Sequence, residues 1–356
     1  MLYLAKKRKN SKISLLGHKL VGNIEEFIKA EQHGGREFQY ITFSFKDYKL
    51  LSKSYQNILC TFYPTHILKV LSSEIIISSH GIIFHRLIKK YFKIKTFYTG
   101  HAIKSNNHIE ILAEQEIFDE VWLFSDFEKR IYIEECNYSI KNLISTGYPR
   151  IDSLSELVKN KSLIKDRLGI DSDVLLYAPT DDRNNSVYKN HHLSPHNIEL
   201  YKILENIGEE LKLKTLIKYH INTHVDIKIL KFIENSNNLL FFDKSKSLPD
   251  ITPLSISDLL ITDWSSVFVD YLISNNPILF LDTPMAYNIS GVSKVFNNKH
   301  ISRINSFEGL IKEIRILHEA NFKIQQPLRQ LKNDIYEGKF DNDNLGRCLK
   351  RLERNL

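Results

Sequence analysis

The chain has few of the residues that common nucleotide-binding motifs need. Only 13 of its 356 residues are glycine. Neither GxGxxG nor GxxxxGKS/T occurs, so a Rossmann dinucleotide fingerprint and a P-loop are both excluded, and the zinc-protease pattern HExxH is also absent. A phosphate group would therefore have to be bound by helix N-termini and side chains.

Cysteine is also scarce. The three cysteines, Cys60, Cys136 and Cys348, lie far apart and form no CxxC pair. This spacing indicates neither a disulfide framework nor a structural zinc site, and it fits a reducing cytoplasm.

Long apolar runs are missing as well. No stretch approaches the roughly eighteen apolar residues of a membrane-spanning helix. Residues 1–9 have a very short apolar stretch followed by lysine and arginine, without the apolar core and cleavage site of a signal peptide. We expect a cytoplasmic protein that lies on the inner face of the membrane if it acts there.

The charge balance is moderately basic. The formal net charge is +7, and residues 6–12 form a basic cluster. Such an excess suits an anionic substrate, an anionic membrane surface or nucleic acid, but a generic solvated surface has the same composition. Charge alone does not choose among these partners.

Size and composition predict a globular protein with two domains. The chain contains 42% hydrophobic and 26% charged residues, as folded proteins do, and it is too long for one typical core. Short β-rich apolar runs alternate with longer helical patterns. This alternation favours an α/β fold with two doubly wound parallel sheets covered by helices.

Nine apolar runs are candidate strands. They lie at residues 40–45, 74–78, 95–99, 120–124, 174–178, 215–219, 239–242, 259–262 and 278–281. Gly147 and Pro149 separate two groups of strands, and a helix is predicted at residues 153–168. We predict domains at residues 1–152 and 153–330 with a cleft between them. A charged helical tail is predicted at residues 331–356.

Polar, titratable side chains follow several of these strands. His80 and His101 follow strands of the first group, while Thr180, His220 and residues 263–266 follow strands of the second. In open parallel sheets, ligands bind beyond the carboxyl ends of the strands. Both groups of side chains are therefore predicted to face the cleft.

Residues 259–270 carry the strongest single pattern. An apolar run is followed by Asp263, Ser265 and Ser266, and a new apolar pattern begins at once, which predicts a strand, a turn and a helix. Two serine hydroxyls beside unpaired backbone N–H groups suit a phosphate or diphosphate. Asp270 would lie on the same helix face, within reach of a ligand hydroxyl. An ordinary capped helix gives the same pattern.

Four segments share their order and spacing with one known family. ITDWSS at residues 261–266, followed by Asp270, is similar to the family's ITDYSS…D. GYPRID at residues 147–152 is similar to GYPRxD, YAPT at residues 177–180 is shared, and IKYH at residues 217–220 is similar to RxHP. Over roughly residues 70–300 the chain thus resembles the CDP-glycerol glycerophosphotransferase family, which includes teichoic acid primases and polymerases and related capsule polymerases.

Besides Trp264, which replaces the tyrosine of ITDYSS, the sequence departs from the family pattern in three segments. The family's WHGTPLK aligns with residues 98–104, where Thr99 replaces the histidine and His101 follows the glycine. The WRD that follows YAPT in the family is DDR here, at residues 181–183, and Lys218 replaces the arginine of RxHP. These departures fall on positions with candidate chemical roles.

The resemblance implies a GT-B-like fold with two Rossmann-type domains. The donor would be CDP-glycerol or CDP-ribitol, bound mainly by the second domain. A hydroxyl of a lipid-linked or polysaccharide acceptor would attack the β-phosphorus in line, forming a phosphodiester and releasing CMP. We expect neither an obligatory metal ion nor another cofactor.

Resemblance and side-chain chemistry together suggest residue roles. Those expected to bind the donor are Thr180, Arg183, Lys218, Asp263, Ser265, Ser266 and Asp270. His220 is expected to donate to a diphosphate oxygen. His101 is the candidate base, with His80 as its rival. Arg150 would pair with a phosphate or hold the hinge. The adjacent carboxylates at residues 181–182 would more often be solvated than hold a cation.

Two alternatives remain open from the sequence. A GT-B glycosyltransferase that uses a sugar nucleotide would share the architecture, and CMP release separates the two because it requires attack at phosphorus. A nucleic-acid-binding protein would use the basic surface. However, no basic–aromatic stripe or known binding module is present, so we expect no nucleic-acid partner.

Overall fold

The structure is a computed structural model that describes residues 12–17, 19–31, 37–80, 90–103, 118–135, 138–181, 185–220, 223–242, 249–285, 295–338 and 341–356. The described residues form two compact units. Unit 1 comprises those up to Ser153 together with residues 341–356, and unit 2 comprises Leu154–Gly338. The paired strands of both sheets run parallel, which confirms the predicted α/β class.

Unit 1 contains a seven-stranded sheet in the order β3-β2-β1-β4-β5-β6-β7. Its strands are β1 Ile13–Leu16, β2 Phe38–Thr42, β3 Ile58–Cys60, β4 Ile75–Ser78, β5 Lys95–Tyr98, β6 Glu120–Leu123 and β7 Leu143–Ser145. Most strand residues are buried, as expected for a parallel sheet that is covered on both faces.

Helices cover this sheet and connect its strands. They are α1 Asn23–Glu31, α2 Phe45–Leu51, α3 Pro64–Leu71 and α4 Asp126–Glu134, and α5 Pro149–Lys159 contains the boundary between the units. The Ser44 and Ser125 hydroxyls accept hydrogen bonds from first-turn N–H groups of α2 and α4. Pro64 begins α3 and Pro149 begins α5, where a missing N–H costs nothing.

Unit 2 contains a six-stranded sheet in the order β10-β9-β8-β11-β12-β13. Its strands are β8 Val174–Tyr177, β9 Lys214–Ile217, β10 Leu239–Phe241, β11 Leu259–Thr262, β12 Ile278–Leu281 and β13 Arg303–Ile304. Its helices are α6 Lys161–Leu168, α7 Ser186–Lys189, α8 Ile198–Leu211, α9 Ile227–Glu234, α10 Thr252–Ile256, α11 Val267–Tyr271, α12 Phe307–Glu319 and α13 Gln326–Tyr336.

Each sheet has a switch point, where the chain moves from one half of the sheet to the other. In unit 1 this point lies between β1 and β4, and in unit 2 it lies between β8 and β11. Ligands of open α/β sheets bind beyond the strand ends at such points. The residues that follow β8 and β11 are 178–181 and 263–266, which places two of the predicted motifs side by side.

Residues 331–356, predicted as one helical tail, are divided between the two units. α13 belongs to unit 2, where the Tyr336 hydroxyl donates to the Val269 carbonyl at 3.0 Å. The last helix, α14 Asn344–Asn355, belongs to unit 1.

α14 is anchored in unit 1 at its beginning and along its length. The Asp152 carboxylate accepts hydrogen bonds from the backbone N–H groups of Asn344, at 3.2 Å, and Leu345, at 2.8 Å. Such a carboxylate satisfies free helix N–H groups and suits the positive end of the helix dipole. Further along, Cys348 and Leu352 are completely buried in the same core cluster as the sheet residues.

The predicted strands at residues 259–262 and 278–281 have the observed bounds, and the other seven overlap observed strands. The predicted strand at residues 40–45 is displaced toward the N-terminus, at Phe38–Thr42. β1, β3, β7 and β13, which have two to four residues, were not predicted. The predicted helix at residues 153–168 is two helices that meet at Asn160.

None of the helices in the described part of the chain has the length and apolar character needed to cross a bilayer.

Candidate active site

The carboxylate of Asp263 ties together the ends of two strands at the switch point of unit 2. Oδ1 accepts hydrogen bonds from the backbone N–H groups of Thr180, at 2.8 Å, and Trp264, at 2.6 Å, and Oδ2 accepts one from the Tyr188 hydroxyl at 2.5 Å. Burial raises the pKa of Asp263, and these hydrogen bonds oppose the rise. Asp263 and Thr180 are predicted to bind the donor, but the two residues are only 1% and 4% exposed. Their observed contacts fix the backbone of the turn.

Arg303 on β13 supports the same turn. Its guanidinium carbon lies 3.5 Å from the centroid of the Trp264 ring, and Nη1 donates to the carbonyls of Asp263, at 3.3 Å, and Leu281, at 3.1 Å. The indole N–H of Trp264 donates to the Thr283 carbonyl at 2.7 Å. Sequence reasoning missed Arg303, because it lies in a two-residue strand outside every recognised motif.

Ser265 and Ser266 lie at the start of α11, as predicted, and both are half-buried. The Ser265 hydroxyl accepts a long hydrogen bond of 3.4 Å from the Val267 N–H. Ser266 occupies the N-cap position without a side-chain capping bond. The helix has only five residues and continues as a 3₁₀ turn at Leu272–Ser274. The hydroxyls, more than the short helix, are therefore the groups available to a ligand.

Asp270 lies one turn along α11, as the spacing predicts, but its side chain is largely buried, with 8% of the residue exposed. The Asp270 carboxylate could therefore contact a donor hydroxyl only if the donor extended below the protein surface at this edge of the sheet.

The segment that follows β9 brings two predicted donor residues to the same sheet edge. Lys218 forms an ion pair with Asp250, with 3.2 Å between Nζ and Oδ2. The His220 side chain is 49% exposed, and its Nδ1 lies 3.8 Å from Oδ2 of Asp181. Asp181 follows β8, next to β9 in the sheet. The sequence did not predict this pair, because 39 positions separate the two residues.

Arg183, the remaining predicted donor residue, lies outside the described residues, as does Asp182. Within the described ranges, no group of three or more His, Cys, Asp or Glu side chains could hold a metal ion.

In unit 1, the two candidate bases are brought into contact. The rings of His80 and His101 stack with centroids 4.6 Å apart and planes inclined by 6°. Nδ1 of His80 lies 2.9 Å from the Ser79 hydroxyl, and Nδ1 of His101 lies 3.3 Å from the Ser79 carbonyl oxygen. Thr99, at the position of the family's histidine, is completely buried. Of the described residues at this strand end, His80 and His101 therefore remain the two candidate bases.

The loop that carries His101 is held by Asn23 at the start of α1. The Asn23 amide donates to the carbonyls of Thr99, at 2.9 Å, and Gly100, at 3.1 Å. Gly100 has φ +61°, and a Cβ there would lie 2.7 Å from the Tyr148 hydroxyl oxygen. Both the left-handed backbone and the close contact require glycine. The position of His101 is therefore determined by a rigid turn.

Arg150 holds the same loop from the other side. Its Nη1 donates to the His101 carbonyl at 2.9 Å, and its guanidinium lies over the Tyr148 ring at 4.8 Å. The Arg150 backbone N–H donates to the Asn23 side-chain oxygen at 3.3 Å. The residue is 6% exposed. Of the two roles considered for Arg150, phosphate pairing or holding the hinge, the observed contacts favour a structural one.

The family model and the similar proteins described below agree on one family. The family model of CDP-glycerol:poly(glycerophosphate) glycerophosphotransferase matches residues 23–330. A teichoic acid poly(glycerol phosphate) polymerase of Bacillus spizizenii is 35% identical over 147 residues, which covers 39% of this chain and 35% of that protein. A teichoic acid glycerol-phosphate primase of Bacillus subtilis is 26% identical over 243 residues, covering 61% of this chain and 58% of the primase. The chain thus matches about a third of the first relative and just over half of the second.

Solved structures share the fold. The wall teichoic acid polymerase TagF has a TM-score of 0.71 at 17% identity, covering 97% of this chain and 88% of that chain. A UDP-GlcNAc 2-epimerase from Neisseria meningitidis has a TM-score of 0.58 at 14% identity, covering 91% of this chain and 97% of the epimerase. These likenesses confirm the predicted GT-B-like fold of two Rossmann-type units. Because the family model covers most of the sequence, the chain belongs to the CDP-glycerol:poly(glycerophosphate) glycerophosphotransferase family.

Proposed function

We propose that this protein transfers a polyol phosphate from a CDP-linked donor to an acceptor hydroxyl and releases CMP. The observation that carries the proposal is the switch point of unit 2. There the half-buried hydroxyls of Ser265 and Ser266 lie on a turn that Asp263 and Arg303 hold fixed. Family membership supports the donor class, and the matched residues 23–330 include this turn.

The chemical step requires in-line displacement at phosphorus. The acceptor oxygen forms a new bond to the β-phosphorus, and the bond from that phosphorus to the bridging oxygen breaks, so CMP leaves with the bridging oxygen. Negative charge on the phosphate oxygens is stabilised by donors that are already oriented. We assign this task to Ser265, Ser266, Lys218 and His220 of unit 2, with Arg183 as a further expected cation.

The acceptor hydroxyl must lose its proton during the step. We assign the base to His101 in unit 1, because an imidazole suits proton abstraction at neutral pH and this ring is exposed at the end of β5. His80 remains the alternative, since the two rings stack. Asn23 and Arg150 hold the loop backbone and thereby orient His101.

The donor and acceptor are assigned by class. Relatives of this chain carry the names of both glycerol-phosphate and ribitol-phosphate polymerases, so CDP-glycerol and CDP-ribitol are both candidate donors. The acceptor would be a lipid-linked or polysaccharide polymer with a free hydroxyl.

The direct test is incubation of the purified protein with CDP-glycerol or CDP-ribitol and an acceptor, while CMP release is measured. Release of CMP with growth of the acceptor supports the proposal. If neither donor yields CMP but a sugar nucleotide is consumed, the protein is a GT-B glycosyltransferase and the proposal fails.

We also propose that unit 1 binds an anionic membrane surface, where a lipid-linked acceptor would be located. α2 contains no buried residue, and Leu50 on it and Leu68 on α3 are 61% and 65% exposed. Phe62, just before α3, is 66% exposed. Lys49 lies over the ring of Phe45 at 4.6 Å. Apolar side chains beside lysines suit the interface of an anionic bilayer. Residues 45–51 and 62–71 are called the α2–α3 surface below.

A further inference from the structure

We propose that Asp181 is a positioning residue for His220: its carboxylate holds the imidazole in place and favours its cationic form against the donor diphosphate. This inference rests on the proposed function, and it assigns a role to Asp181, which stands where the family pattern has a tryptophan. The inference is based on the positions of the carboxyl ends of β8 and β9.

The pair is produced by the sheet itself. β8 and β9 are adjacent and parallel, with Tyr177 opposite Ile217 in the register. The segments that follow them therefore emerge together at one edge. The neighbouring Thr180 N–H is fixed by Asp263, which restricts where Asp181 can lie. The position of Asp181 is thus set by the same turn that presents the two serines.

Asp181 is buried and His220 is partly exposed, and this difference suggests a separate role for each residue. The Asp181 side chain is 8% exposed and that of His220 is 49% exposed. A buried carboxylate is weakly screened by water, so its charge acts strongly on a neighbour. The 49% exposed imidazole is accessible to a ligand, whereas the buried carboxylate is not. Asp181 therefore acts through His220.

The distance defines the interaction as electrostatic. The 3.8 Å between His220 Nδ1 and Asp181 Oδ2 is too long for a hydrogen bond but within ion-pair range. Because the carboxylate is on the Nδ1 side of the ring, Nε2 is directed away from it. A carboxylate at this distance stabilises the imidazolium by charge attraction and favours ring orientations that keep Nδ1 toward it.

Two other charged residues described near the end of β9, Lys218 and Asp263, have contacts of their own. The Lys218 ammonium is 3.2 Å from Asp250, and the Asp263 carboxylate accepts from three donors, including Tyr188. Asp181 also replaces the tryptophan that follows YAPT in the family pattern. The carboxylate behind His220 is therefore a property of this chain and not of the shared motif.

The test combines kinetics with the nuclear magnetic resonance signals of the His220 ring, assigned with His220→Gln. Asp181→Asn keeps the shape of the side chain and removes its charge. We expect kcat/KM to fall about 10-fold or more. We also expect Asp181→Asn to add little to the loss in His220→Gln, because the carboxylate acts through the imidazole. Asp250→Asn is the matched control: it removes another carboxylate near β9, the partner of Lys218, and should leave the His220 ring signals in place.

The outcomes separate this inference from the proposed function. A shift of the His220 ring signals in Asp181→Asn, with non-additive kinetics, supports the pair. Unchanged ring signals, or losses that multiply in the double variant, overturn it. If the wild-type protein releases no CMP from either donor, the proposed function fails. The ring signals then still decide whether Asp181 governs His220.

Discussion

The hydroxyl of Tyr188 donates a hydrogen bond to the Asp263 carboxylate at 2.5 Å, across 75 positions of sequence. Tyr188 is completely buried on the short helix α7, and Asn185 caps that helix by accepting from its first N–H groups. One phenol therefore links the segment after β8 to the turn that carries Ser265 and Ser266. The geometry of the candidate donor site depends on this link.

Tyr188→Phe is expected to destabilise the protein by about 1–3 kcal/mol, because a buried carboxylate oxygen loses its donor. Denaturant unfolding measures this loss. Tyr336→Phe is the matched control, since the Tyr336 hydroxyl is equally buried but donates to a neutral carbonyl. Donor affinity should fall in Tyr188→Phe and remain near normal in Tyr336→Phe. Equal stability losses in both variants would contradict a special role for the Tyr188–Asp263 bond.

Changing Ser265 and Ser266 together to alanine should reduce CMP release on the order of 10³-fold, because two hydroxyl donors to the phosphate are lost in the transition state. The melting temperature should be nearly unchanged. Ser274→Ala is the control: its hydroxyl donates to the Tyr271 carbonyl in the 3₁₀ turn beyond α11. Near-normal turnover in the double variant would refute the assignment.

The stacked rings of His80 and His101 call for substitutions that keep the stacking. His101→Phe preserves a flat ring but removes both nitrogens, and it should lower turnover by roughly 10²–10⁴-fold with donor binding nearly unchanged. His80→Phe should retain most of the turnover. Steady-state kinetics with a fixed donor distinguish the two. If His80→Phe is inactive and His101→Phe is active, His80 is the base.

Lys332 makes the stability of unit 2 depend on pH. The lysine is 9% exposed, its ammonium donates to the Asn275 side chain at 2.8 Å, and burial lowers its pKa to about 8. Between that value and the ordinary lysine value of 10.5, the unfolded chain binds more protons than the folded protein. Stability should therefore rise with pH across this window.

Lys332→Met should remove that rise and increase stability at pH 7 by on the order of 2–3 kcal/mol, less the lost hydrogen bond. Thermal unfolding at pH 7 and pH 9.5 measures both effects. Arg329→Met, an exposed position on the same helix, should change neither. The role of Lys332 would be contradicted if the melting temperature decreased from pH 7 to pH 9.5 by the same amount in the wild type and in Lys332→Met.

Leu50→Ser with Leu68→Ser should weaken binding to vesicles that contain phosphatidylserine, because both changes remove exposed apolar area from the α2–α3 surface. Binding of the wild type should weaken as salt rises, since the lysines act electrostatically. The control is Ile140→Ser with Ile227→Ser, two isoleucines that are each 61% exposed elsewhere. Vesicle sedimentation gives both measurements. Equal loss in both double variants, or no binding at any salt concentration, would contradict the proposed surface.

The hydrophobic and polar pattern of the sequence predicted the strand ends and the turn that carry the candidate site. The turn at residues 263–266 follows its strand as the change from apolar to polar residues indicated, and the strand-end rule brought His80 and His101 to one edge. A strand end is readable because hydrophobic periodicity and capping residues act over a few positions.

The supporting contacts were not predictable in the same way. Arg303 reaches Trp264 from a two-residue strand, and Asp181 meets His220 only because β8 and β9 are neighbours. Nothing in the sequence near these residues specifies such long-range pairs, since strand order determines them. The GYPRID segment indicated a boundary from its sequence, whereas the contact of Arg150 with the His101 carbonyl is visible only in the folded loop.

The return of α14 to unit 1 has a consequence for synthesis of the protein. Residues 341–356 follow all of unit 2 in the chain, yet they cover the core that contains Trp122 and supply the partners of Asp152. At the usual 5–20 residues per second, a ribosome needs roughly 10–40 s to pass from the end of the first part of unit 1 to this helix. During that interval the apolar side chains beneath α14 are uncovered. Nascent unit 1 should therefore be a client of ribosome-associated chaperones until the last helix emerges.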